Sequence, residues 1–325
     1  MFKFSHFALL SVVSLSAHAG STHRVDHYAP IGVMGAHLHE KGDFMLSYRY
    51  SQMNMQGSQD GTNDIATGDN PFPVVPLEMT MKMHMLGGMY APSDDWTIMA
   101  MLPYIELEMD HIVQANGRRF TTRAEGIGDI KLASLHNLYK KNDQQVIMKF
   151  DLSLPTGSID ERDDTPAQSD SQLPYPMQLG SGTYDLMPAI TYTQRLNGGS
   201  WGSQVSATLR TGGSNDRNYR LGNEIQATAW YTHLLTQNSS ASLRINYLNR
   251  GNVRGRDNEL NPNIVQTAVT SNQGRERIDL STEFSHSLQQ GTRLSIELSA
   301  PIYQDLDGPQ LETDLQFTLG IQHSF

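Results

Sequence analysis

The stretch "WGSQVSATLR", Trp201 to Arg210, alternates apolar and polar side chains with a period of two. Trp201, Val205, Ala207 and Leu209 share one face with Ser203, while Gln204, Ser206, Thr208 and Arg210 share the other. That period is the geometry of a strand with one oily and one wet face. The same pattern recurs. Ala241, Leu243, Ile245 and Tyr247 oppose Ser242, Arg244 and Asn246, and Leu294, Ile296, Leu298 and Ala300 oppose Arg293, Ser295, Glu297 and Ser299.

The spacing predicts twelve such strands, near 43–55, 76–91, 94–109, 126–140, 144–155, 180–195, 201–212, 222–236, 239–251, 275–288, 291–302 and 312–325. Their connections alternate in length. Short turns such as "APSD", "KND", "NGGS", "TQNSS" and "QQGT" alternate with long loops near 56–75, 110–125, 156–179, 213–221, 252–274 and 303–311. A soluble sandwich has no reason to sort its loops by rim. A transmembrane antiparallel up-and-down β-barrel does, with short periplasmic turns and long outer loops. Trp96 and Tyr104 lie eight residues apart on one face, as do Tyr184 and Tyr192. Eight residues of tilted strand rise about 20 Å, close to the spacing of the aromatic girdles of such barrels.

Composition narrows the class. The chain has 325 residues, net charge −10 and no cysteine, which excludes disulfides and thiolate chemistry and speaks against nucleic acid as a partner. Residues 1–19 read as a secretory signal: Lys3, then the apolar "FALLSVVSLS", then "AHA" as a cleavage site. Residues 20–41 are a His- and Met-containing lead-in on the periplasmic side, placed below the barrel or plugging its lower lumen. The barrel itself is residues 42–325. In the last strand Phe317, Leu319, Ile321 and Phe325 share a face, and the terminal Phe325 resembles the signal read by barrel-assembly machinery. The expected location is the bacterial outer membrane, in contact with lipid and lipopolysaccharide.

Sorting the alternate side chains gives candidate lumen residues. If charge faces inward everywhere, the lumen is lined by Arg49, Glu78, Lys82, His84, Lys149, Asp151, Arg210, Glu224, Arg244, Arg293 and Glu297. On that assignment Met79, Met81, Met83 and Met85, opposite Lys82 and His84, face lipid as ordinary apolar groups, and no local copper site forms among them. Met53 and Met55 on the first strand, and Met99 and Met101 on the third, are expected to point inward. With His23, His27, Met34, His37 and His39 of the lead-in they form a candidate metal set, because thioethers and imidazoles suit copper. No other cofactor is implied.

No catalytic motif stands out, so the chain reads as a non-enzyme. Ser285, His286 and Ser287 occur together without an evident acidic partner, which leaves an outer-membrane hydrolase as a weak third reading.

Three further stretches carry a resemblance. "GIGDIKL" (Gly126 to Leu132), "LSLPTGS" (Leu152 to Ser158) and "LGSGTYDLMPAITYT" (Leu179 to Thr193) resemble the MetA-pathway of phenol degradation family, over roughly residues 85 to 325. The Met- and His-rich front half, "PIGVMGAHLHEKGDFMLSYRYSQMNM", resembles a subgroup associated with copper-handling genes. The resemblance implies an outer-membrane channel or transporter for small solutes, hydrophobic or aromatic ones included. Its alternative is a copper-linked metal-binding or transport protein.

Overall fold

The computed structural model describes residues 24–288 and 291–325; the predicted signal segment and His23 lie outside them. The main strands are β1 (Phe44–Gly61), β2 (Val74–Ser93), β3 (Trp96–Val113), β4 (Arg118–Ile127), β5 (Ile130–Lys141), β6 (Gln144–Leu154), β7 (Asp185–Leu196), β8 (Gly199–Arg210), β9 (Glu224–Thr236), β10 (Ser239–Arg250), β11 (Arg275–Ser287) and β12 (Thr292–Ser324). Neighbours in the ring pair antiparallel, with β5 running against the first half of β3 and β4 against its second half, and β12 pairs with β1. Eleven strands therefore close into a barrel, with β4 and the short Asn63–Ile65 attached outside that ring. Among the described residues the eleven-strand ring has no free edge, which is what a strand protein needs in a bilayer.

The final strand differs from the expectation of two strands and a loop at 303–311. It runs for 33 residues. Its first part pairs with β11 up to Leu306 and its second part pairs with β1 from Leu306 onward. The chain turns back at Gly308, whose φ of +72° suits glycine. Thr313 N donates to Gln304 Oε1 at 2.9 Å and Ser324 N donates to Gly291 O at 3.2 Å, so the two arms lie side by side. Counting both arms, and β4 with β5 as one interrupted line along β3, the wall is crossed twelve times.

Several strands are also longer than the periodicity suggested. β2 and β3 have 20 and 18 residues, about twice the ~9–11 that cross a bilayer. The expected loop at 110–125 is mostly strand, closed by a tight turn around Gly117 at φ +70°. These upper halves stand above the membrane. The outward face shows the limit: Trp96, Ile98, Leu102 and Tyr104 are exposed apolar groups, and beyond Tyr104 the same face carries Glu106, Glu108 and Asp110.

That extension overturns one sequence expectation. Register pairs Arg49 with Met85, Ser51 with Met83, Met53 with Met81 and Met55 with Met79, so these methionines share the inner face of β1. Met85 is 9 % exposed while Leu86 beside it is 56 % exposed. Glu78, Lys82 and His84 consequently point outward, not into the lumen. Lys82 and His84 reach Glu106 at 3.7 and 3.5 Å, and Tyr48 Oη lies 2.7 Å from His84 Nδ1. They are tolerated there because the row Tyr50–His84–Tyr104 marks the upper aromatic level and Lys82 lies one row above it, in water.

Candidate functional site: a two-faced lumen

One wall of the lumen is methionine. β1 contributes Met45, Met53 and Met55; β2 contributes Met79, Met81, Met83, Met85 and Met89; β3 contributes Met99, Met101 and Met109. They align in rows across the sheet: Met45–Met89–Met99 near the periplasmic end, Met55–Met79–Met109 near the outer end. The outward positions of these three strands, all described, hold Leu46, Leu86, Leu102 and Ile98 but no methionine.

The opposite wall is a ladder of ion pairs. Lys149 Nζ lies 2.6 Å from Asp151, Arg244 makes two bonds of 2.7 and 3.2 Å to Glu297, and Arg293 lies 2.9 Å from Glu283. Arg210 bonds Asp185, and Arg250 lies 2.7 Å from Glu224. Arg49, Lys149, Asp151, Arg210, Glu224, Arg244, Arg293 and Glu297 thus all point into the barrel. A buried charge is costly unless paired; the Lys149–Asp151 partners come from one strand, and Arg210–Asp185, Arg250–Glu224, Arg244–Glu297 and Arg293–Glu283 join different strands.

Inside the ring lies a cavity of about 520 Å³ with two kinds of lining, the apolar Met83, Met85, Met101 and Ile105 and the charged Arg49, Lys131, Lys149, Asp185, Arg210 and Glu224; Arg49 and Lys131 stand directly beside Met85 and Met101 in the sheet. Its floor is the lead-in, which folds into the periplasmic end of the lumen. Ile31 N donates to Glu283, Gln204 Nε2 donates to Met34 O at 3.1 Å, His39 N donates to Thr97 Oγ1 at 3.2 Å, and Arg293 stacks 4.9 Å from the Tyr28 ring. Ala29, Val33 and Ala36 pack on Trp230.

The roof is built from the three stretches that carry the family resemblance. Asp129 Oδ1 accepts from Gly157 N at 3.0 Å and Asp129 Oδ2 from Ser181 N at 2.8 Å. Thr156 Oγ1 accepts from Ile130 N and donates to Gly128 O, both at 2.9 Å. A Cβ on Gly180 would overlap the carbonyl of Gly157, so glycine is needed for the two loops to touch. This knot folds Gln178 and Leu179 over the cavity. Above it, Tyr175, Tyr219, Val253 and Leu260 form a small apolar core, clamped by Arg217 between Asp160 at 2.5 Å and Glu259 at 2.6 Å. Single-residue periodicity gave no signal for this lid, because its contacts join loops far apart in sequence.

The candidate metal residues are partly gathered. Met34, His37, Met99 and Met101 border one small cavity. His37 and His39 are edge-to-face at 5.0 Å, and His39 is buried. Met53 and Met55 lie in the upper methionine cluster, while His27 stands at the periplasmic end beside Tyr28, Lys140 and Ser200. Among the described residues no group of three or more His, Asp or Glu side chains is disposed to hold a metal ion, and no helix is long and apolar enough to cross a membrane, which says nothing about a barrel. Ser285 turns inward to Glu283 and Ser295 while His286 pairs with Ser239 at 2.8 Å, so those neighbours do not form a catalytic pair with each other.

Comparison with known proteins places this geometry. Residues 83–270 match the profile of the family described as "Putative MetA-pathway of phenol degradation", which spans more than half the chain. The COG4313 outer membrane channel from Pseudomonas putida F1 is similar in structure, with a TM-score of 0.67 at 14 % identity over 90 % of this chain and 99 % of that one. The transport unit of the autotransporter AIDA-I from Escherichia coli is similar at a TM-score of 0.50 and 10 % identity, over 90 % of this chain and 93 % of that one. At such identities the likeness is one of fold: an outer-membrane barrel. No curated protein sequence matches.

Proposed function

This chain belongs to the MetA-pathway of phenol degradation family, and from that premise we propose that it is a non-catalytic outer-membrane channel for small solutes that pair an apolar or aromatic body with a polar group. The observation that carries the reading is the two-faced cavity of about 520 Å³. Methionine is unbranched and polarizable, adapts to irregular apolar shapes and makes favourable sulfur–aromatic contacts. The facing ion pairs offer donors and acceptors to a hydroxyl or carboxylate. A solute with both characters can keep each side satisfied as it moves. The likeness to an outer membrane channel supports the same reading through fold.

Assembly machinery reading the last strand is part of the same proposal; the exposed Phe325 ring at the seam, where Phe325 N donates to Phe44 O at 2.8 Å, supports it.

Purified full chain in liposomes tests the proposal by osmotic swelling. Benzoate, which crosses bare lipid slowly, should enter faster than glucose. Swelling no faster than in protein-free liposomes for every solute would remove the channel reading.

A further inference from the structure

We propose that the periplasmic methionine row is a binding site for a soft monovalent metal ion, Cu(I) or Ag(I). The site is the cavity of about 60 Å³ bordered by Met34, Met45, Met85, Met89, Met99 and Met101, with His37 at its rim.

Three observations converge. Register places Met89 directly opposite Met45 on one side and Met99 on the other, so their thioethers start from Cβ atoms about 5 Å apart. Two or three sulfurs can then close on one ion from neighbouring strands. His37 of the lead-in brings an imidazole to the rim, so donors come from two independent segments; Met34 also borders the cavity, but its sulfur accepts from Arg49 Nη1.

The second observation is the choice of residue. Among the described residues, the lipid side of β1, β2 and β3 holds aliphatic and aromatic groups such as Leu46, Tyr48, Leu86, Tyr90, Ile98 and Leu102 but no methionine, while the apolar groups of the lumen side are mainly methionine. Packing alone is met by branched aliphatics, whose rotamers are better defined. A thioether adds a soft donor, and soft ligands select Cu(I).

The third is charge. Arg49 and Arg293 also border the cavity, with Glu283 bonded to Arg293. This setting opposes a hard divalent cation, which would need several oxygen ligands. A monovalent ion meets half the repulsion and is held by sulfur donation. Thioethers carry no proton at any working pH, so binding by them releases none, unlike a thiolate site. The site needs the barrel and its lead-in but is independent of which solute crosses the channel.

The test is competition of detergent-purified full chain against a chromophoric Cu(I) chelator under anaerobic reducing conditions. Wild type should take up Cu(I), and Zn(II) in tenfold excess should not displace it. Met45→Leu/Met89→Leu/Met99→Leu, a near volume-conserving change, should weaken binding at least tenfold, while Met148→Leu on the lipid face leaves it unchanged. Methyl-labelled methionine spectra of wild type give a second readout that needs no variant: Ag(I) should shift the lower-row methyl resonances and spare Met148. No Cu(I) uptake, displacement by Zn(II), equal affinity in the triple variant, or Ag(I) leaving the lower-row methyls unmoved would each overturn the site. Benzoate flux of the wild-type chain in metal-free buffer is the separate readout of the channel, so absence of this site and absence of the channel are read separately.

Discussion

Lys82 Nζ lies 3.7 Å from Glu106 on the outer surface of the wall, one row above the level of Tyr104. Both side chains are about 40 % exposed. The outer surface therefore changes solvent part-way up β2 and β3, from hydrocarbon to water, while the inner methionine wall continues unchanged.

This relationship sets the first prediction. Lys82→Ala removes one exposed ion pair and should change stability by less than about 1 kcal/mol. Ala100→Lys, midway between Trp96 and Tyr104 on the same face, should cost about 2–4 kcal/mol. Urea unfolding in lipid vesicles, followed by tryptophan fluorescence, measures both. Equal costs would mean that Lys82 also faces hydrocarbon.

The roof knot gives the second. Asp129 accepts two backbone N–H bonds, from Gly157 and Ser181. Bonds to a charged acceptor contribute about 1.5–3 kcal/mol each. Asp129→Ala should lower stability by about 3–6 kcal/mol and loosen loop 155–184. Gly180→Ala should do the same through steric conflict with the Gly157 carbonyl. Proteolysis of the loop, with cleavage sites read by mass spectrometry, should be faster in both variants than in wild type.

Acid should open the lid. The hydrogen bond from Arg217, helped by that from Arg162, holds the Glu259 carboxyl below the usual glutamate range. A group with a depressed folded value contributes closure that is fully present above its ordinary value of about 4.3 and is lost as pH falls through the folded one. Channel conductance in planar bilayers should thus be steady at neutral pH and rise only as pH falls below the ordinary glutamate value. Glu259→Gln should show the high-conductance behaviour already at pH 7 and lose that acid step.

The lead-in predicts a fourth outcome. Ile31 N bonds Glu283, and Gly32 sits where a Cβ would strike Arg244 and Glu297. Deleting residues 24–41 should raise conductance several-fold with the barrel intact, judged by its heat-modifiable mobility on a denaturing gel. Unchanged conductance would place the narrowest layer at the roof instead of the floor.

Phe325 sits at the seam with its ring centroid 5.9 Å from that of Phe44. Phe325→Ala should reduce the amount of protein assembled in the outer membrane while leaving detergent refolding of purified chain nearly unchanged. Equal assembly in cells would remove the proposed role as an assembly signal.

Much of this protein was written in its local pattern. Alternation over "WGSQVSATLR" and its neighbours and the sorted loop lengths are short-range properties, and they carried the barrel and its antiparallel order. Which face of β2 is inner was not local. Period two assigns Met81 and Lys82 to opposite faces but does not say which face meets which solvent. The answer depended on how far the strands rise above the bilayer and on register with β1. The roof knot around Asp129 and the six-methionine cavity were likewise invisible in one dimension, because each is made by segments that only closure of the sheet brings within bonding distance.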